Sequence, residues 1–162
     1  VQKVGENVII RKKESIKGDN LYSYIHSNGK VGALVSLQDS NEDLGKDIAM
    51  HITASNPKFI SPKDVDSETI EKEKQILKAQ VEDTDKPVEI IEKMIEGRLN
   101  KFLSEISLLK QPFVKDPSTS VENVLNDHKN SIVEFSRIEV GEGIEVEQKD
   151  FASEVQAQLQ NS

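Results

Sequence analysis

Hydrophobic positions along the chain recur with two different periods. Steps of three and four residues gather Ile91, Met94, Ile95, Phe102 and Leu103, together with Arg98, on one stripe, which is the signature of a helix with a single covered face. Pro87 suits the opening of that helix, because the first turn offers no partner for its missing N–H. Gly97 interrupts the stripe. An interior glycine costs about 1 kcal/mol against alanine, so its placement predicts close backbone approach by a neighbour. An apolar run through Ile106, Leu108 and Leu109 then leads to Gln111-Pro112, where the helix must have ended, and on to an extended exit at Phe113. Upstream, Ile70, Glu73, Leu77 and Val81 form a narrower stripe, separated from the first by Asp83 to Pro87. Two helices with so short a break predict an antiparallel helical hairpin. Acidic residues outnumber basic ones along it and its stripe is narrow, so it is expected to project from the body.

Runs with the two-residue period of strands flank the hairpin. Val4 to Ile10, Leu21 to His26 and Val31 to Leu37 read as three antiparallel strands. The last two are joined through Ser27-Asn28-Gly29-Lys30, where Asn28 and Gly29 both tolerate positive φ. Asp39 to Glu42 offer N-caps to a helix with Leu44, Ile48, Ile52 and Ser55 on one face, and Asn56-Pro57 stops it. Asp116 to Ser120 cap another, Val121 to His128, with Val121, Val124 and Leu125 inward. Ser131 to Val140 alternates, with Ile132, Glu134, Ser136, Ile138 and Val140 against Val133, Phe135, Arg137 and Glu139, and predicts a strand that joins the N-terminal sheet. Asp150 to Leu159 reads as a last amphipathic helix with Phe151, Val155 and Leu159 on its stripe. The expected fold class is α+β: a small antiparallel sheet packed by helices, with an inserted, protruding helical hairpin and a C-terminal helix. Residues 1–65 and 106–147 are assigned to the core, 66–105 to the hairpin and 148–162 to a C-terminal helical module.

Composition bears on partners. A net charge of −8 over 162 residues and 4% aromatic content repel phosphate backbones and leave few surfaces on which bases could stack. Neither nucleic acid nor a membrane is expected as a direct partner. Cysteine is absent, which removes disulfides, thiol nucleophiles and cysteine-based zinc sites. No apolar run approaches the ~18 residues of a spanning helix and no signal-peptide pattern opens the chain, so the compartment reads as cytoplasmic.

Candidate chemistry is thin. His26, His51 and His128 are dispersed, without the spacing that would converge three or four ligands on a metal. Acidic pairs such as Asp64/Asp66 and Glu71/Glu73 fit solvated faces better than acid–base couples. Gly141-Glu142-Gly143 lacks both the third glycine and the following helix of a phosphate-binding loop, and no nucleophile elbow is present. No catalytic residue, cofactor or metal is expected, and the chain is not expected to be an enzyme. Phe102 and Phe113 read as packing residues. His26, at a hairpin tip, is either a solvated side chain or a contact residue.

Several strings carry a resemblance. Glu92 to Phe102 (E-K-M-I-E-G-R-L-N-K-F) and Leu108 to Pro117 (L-L-K-Q-P-F-V-K-D-P) resemble the central part of bacterial translation elongation factor Ts, the guanine nucleotide exchange factor of elongation factor Tu. Val4 to Arg11, Lys46 to Lys58, Ser136 to Glu145 and Asp150 to Val155 resemble the same family in the same order. The family's T-D-F-V-A-type signature, whose Phe wedges into the nucleotide domain of elongation factor Tu, has no counterpart: Thr84-Asp85 is followed by Lys86-Pro87. The resemblance therefore points to the C-terminal portion of the factor, without its helical N-terminal domain. It implies a docking surface for elongation factor Tu at Val4, Gly5, His26 and Val114, and promotion of GDP release without covalent chemistry. The alternative is a dimerisation or scaffold module, a homodimer formed through the hairpin, with no exchange activity of its own. A small-molecule enzyme is a more distant third.

Overall fold

The computed structural model describes residues 10–81 and 87–143. At its centre β1 (Asn20–Ile25), β2 (Val31–Leu37) and β5 (Ile132–Glu139) form a three-stranded antiparallel sheet in the order β1-β2-β5. The middle strand is the most apolar, and its Ala33, Val35 and Leu37 are buried against α1 (Glu42–Ser55). On that helix Leu44, Ile48, Ala49 and Ile52 share the inner face, and burying each Leu or Ile contributes about 1.5–3 kcal/mol. The fold is thus α+β, as its periodicities predict.

Both ends of α1 are fixed by side chains. Asn41 caps its start, accepting the Leu44 N–H at 3.1 Å, and Asn56 ends it in the left-handed conformation at φ 49°, returning its N–H to the Ile52 carbonyl. Arg137 of β5, its side chain only 11% exposed, donates to the Thr53 carbonyl at 3.2 Å and places a cation at the negative end of the helix. Gly45 lets the Tyr22 ring lie against the helix, since a Cβ there would stand 2.2 Å from the ring. The Tyr22 hydroxyl accepts the Asn41 N–H at 2.8 Å, so one side chain of β1 holds both the helix start and its first turn.

Strict alternation would put Ile132 and Phe135 on opposite faces of β5. A bulge resolves the conflict: Leu37 pairs with Ile132 while Ser36 pairs with Glu134, leaving Val133 as the extra residue. Both Ile132 and Phe135 then pack on the core, and Val133 is 55% exposed. The opposite face of the sheet carries Leu21 and Ile25, both exposed. The β1–β2 connection also differs from expectation. Gly29 takes φ 65° but Asn28 does not take positive φ, so the turn is a longer loop closed by Gly29 N–H to His26 O at 2.8 Å and His26 N–H to Val31 O at 2.9 Å.

The hairpin consists of α2 (Ser67–Val81) and α3 (Val88–Ile106). They pack on each other and bury Leu77, Val81 and Leu99, none of which belongs to the main core cluster. Two readings of α3 are corrected. Leu99, four residues after Ile95, takes the buried place, whereas Arg98 stays in solvent and reaches Gln80 at 3.2 Å. Apolar burial outweighs any position a charged head would have to desolvate. Gly97 meets nothing: no atom comes within 4 Å of where its Cβ would be, so no neighbour approaches it.

After α3 a 3-10 turn, Leu108–Lys110, leads into a two-stranded ribbon of β3 (Pro112–Phe113) and β4 (Asp116–Ser120), then α4 (Val121–Asp127) capped by Ser120. Val121 and Leu125 are buried in the core, with Val124 packed beside them. Lys58 and Phe59 both donate to the Ile106 carbonyl, which ties the chain entering the hairpin to the chain leaving it. The strand expected from Val4 lies outside the described residues except for Ile10, which is in no strand, and the helix expected over Asp150 to Leu159 lies outside them as well.

Candidate functional site

His51 falls three residues after Ile48 on the inner stripe of α1 and is completely buried. A buried imidazole needs a partner for each nitrogen. Nδ1 accepts the Val114 N–H at 3.1 Å, which leaves the ring proton on Nε2, 2.9 Å from Gln111 Oε1. Gln111 in turn donates from Nε2 to the Glu105 carbonyl at 2.7 Å, so its amide orientation is fixed too. Burial pushes the His51 pKa below its ordinary value, opposed by the bond to Gln111, and the ring is neutral. Phe113 packs on it with ring centroids 5.9 Å apart.

This network places Val114 at the turn of the β3–β4 ribbon, where Phe113 pairs with Asp116. Lys115 binds Asp47 at 2.8 Å and fastens the same turn to α1. Asp116 is held below the usual carboxylate range by bonds from the Ser118 hydroxyl and N–H.

Val114, 40% exposed, lines the same shallow concavity of about 310 Å³ as His26. Met50, Thr53 and Ala54 from the last turns of α1 form its floor, and Tyr24, His26 and Val31 from the β1–β2 hairpin line it as well. His26 is exposed, its ring 6.5 Å from that of Tyr24 and without a hydrogen bond to any described residue. The two site residues that fall within the described chain, His26 and Val114, are therefore brought together; Val4 and Gly5 lie outside it. Met50, Thr53 and Ala54 were not singled out from the sequence, and neither were His51 and Gln111 as their support. The signal for His51 was its place on the apolar stripe, where a polar ring must find partners.

The concavity's lining is mostly apolar, and its polar side chains are the His26 imidazole and the Tyr24 and Thr53 hydroxyls. Among the described residues no group of three or more His, Cys, Asp or Glu could hold a metal ion, and no helix is long and apolar enough to cross a membrane. Such a surface can make contacts: a partner's apolar side chain against Met50, Ala54 and Val114, and a hydrogen bond to His26.

Known proteins match the chain over almost all of its length. The family described as elongation factor TS matches residues 1–142. Elongation factor Ts of Hahella chejuensis is 50% identical over 159 residues, which cover 98% of this chain and 56% of that protein. The homologue of Pseudoalteromonas atlantica is 49% identical with 98% and 54% covered, and that of Marinobacter nauticus 48% with 97% and 54%. The chain thus spans about half the length of the curated relatives it matches. With a family match over residues 1–142 and half of all positions identical in the Hahella protein, this chain belongs to the elongation factor Ts family.

Proposed function

We propose that the chain is the docking portion of a translation elongation factor that binds elongation factor Tu and promotes GDP release. One observation carries the reading: His26 and Val114, which the family resemblance marks as contacts, arrive from separate segments at one apolar concavity. Exchange of this kind requires only that the factor bind the nucleotide-poor partner more tightly than the GDP-bound one, a coupling that is necessarily reciprocal. Neither a covalent intermediate nor a cofactor enters.

Titration calorimetry against elongation factor Tu tests the reading. The unmodified chain should bind, and His26→Ala should weaken binding by about 1 kcal/mol, roughly fivefold, as expected for loss of one buried hydrogen-bonding contact. Unchanged affinity without the imidazole would place the contact surface elsewhere. A second reading, pairing of two copies through the hairpin, is favoured by Ile76, Val88 and Ile90, which α2 and α3 leave exposed. Sedimentation equilibrium of the chain alone and of Ile90→Glu decides it; a monomer in both removes that reading.

A further inference from the structure

Val114 stands at a two-residue turn, 40% exposed. Its N–H is bonded to His51 Nδ1, a ring rooted in the same helix that supplies Met50, Thr53 and Ala54. The turn is thus tied to α1 at two points, the Lys115–Asp47 ion pair at the surface and this buried imidazole, and of the two only the imidazole holds Val114 itself. That imidazole can accept from Val114 only while its proton stays on Nε2, and Gln111 Oε1 is what keeps it there. Gln111 can present its oxygen only in one orientation, because its amide NH₂ is engaged by the Glu105 carbonyl in the last turn of α3.

We propose that His51 and Gln111 are positioning residues of the docking surface: a buried relay from Glu105 through Gln111 and His51 fixes Val114 against α1 in the geometry that a partner meets. The inference rests on the docking reading above and deepens it. The relay acts on binding through Val114 alone, without either side chain touching the partner. It also makes the surface sensitive to how α3 leaves the body, since the first acceptor of the relay is the carbonyl of Glu105.

The test is a double-mutant cycle read as affinity for elongation factor Tu, with Gln111→Met, which keeps the volume and removes both amide bonds, and Val114→Ala. Each is measured at a temperature where circular dichroism shows the chain fully folded. Gln111→Met should weaken binding about tenfold, and in the Val114→Ala background it should have almost no further effect, because residues that act through one contact are not additive. The Val114 amide should exchange with solvent faster in Gln111→Met. A purely structural role would lower the melting temperature and leave the affinity intact, and that outcome overturns the proposal, as do additive losses in the cycle. Should Gln111→Met fail to fold, the unmodified chain decides: a Val114 amide that exchanges at the rate of an open turn, or a His51 ring protonated on Nδ1, overturns it. No binding by the unmodified chain would refute the docking reading and the inference with it, whereas binding unaffected by Gln111→Met refutes the inference alone.

Discussion

Gly45 and Gly97 both lie inside helices, yet alanine should have opposite effects at the two. At Gly45 a Cβ would collide with the Tyr22 ring, whose hydroxyl also holds the start of α1, so the ring cannot simply swing away. Overpacking of this kind costs about 1–3 kcal/mol and exceeds the ~1 kcal/mol gained in helix propensity. Gly45→Ala should melt at lower temperature. At Gly97 the added methyl meets no atom within 4 Å, and Gly97→Ala should stabilise by about 0.5–1 kcal/mol. Thermal denaturation of the two variants checks both signs. His51 makes a second prediction. Its folded pKa is depressed by burial below the unfolded value of 6.5, so the unfolded chain binds more protons in between. The stabilisation is complete above about pH 6.5 and is lost as pH falls through the folded pKa. Ring-proton NMR should show His51 still neutral below pH 6.5, and titration of His51 at or above that value would contradict this. Sequence alone could place His51 on the inner stripe, but its partners come from the far side of the hairpin, and no local pattern announces them.

Elements were more legible than their contacts. α1 begins and ends where its capping residues stand, at Asn41 and Asn56, because caps are local chemistry. The partition of α3 was misread at Arg98, where counting three- and four-residue steps gives two neighbouring solutions and only packing against α2 selects Leu99. The faces of β5 were likewise misassigned, since one bulged residue reverses alternation for every position on one side of it. The hairpin's small core is separate from the main cluster, and its ends are joined at Lys58, Phe59 and Ile106. Replacing residues 67–103 with a short Gly/Ser linker, keeping the Glu105 carbonyl, should therefore leave a cooperatively folding body. A non-cooperative melt of that deletion would show that the helices support the sheet.

At the scale of the whole molecule, docking and exchange should separate. In the docking reading proposed above, the surface at His26 and Val114 lies in these 162 residues, whereas the T-D-F-V-A string that the resemblance would assign to the nucleotide site does not occur in them. A ligand shifts an equilibrium only by its differential affinity for the two states, so the chain should accelerate GDP release from elongation factor Tu little, even when saturating. Release of a fluorescent GDP analogue, followed in time at saturating chain, measures this; release as fast as with a complete factor would mean that the exchanging groups lie within these residues. The chain contains only two methionines, and they fall on different parts: Met50 in the floor of the concavity and Met94 on α3. Labelling the methionine ε-methyl groups with carbon-13 would give a spectrum of two resonances, one reporting on the body and one on the hairpin, so any partner could be assigned to its half of the molecule from which line moves.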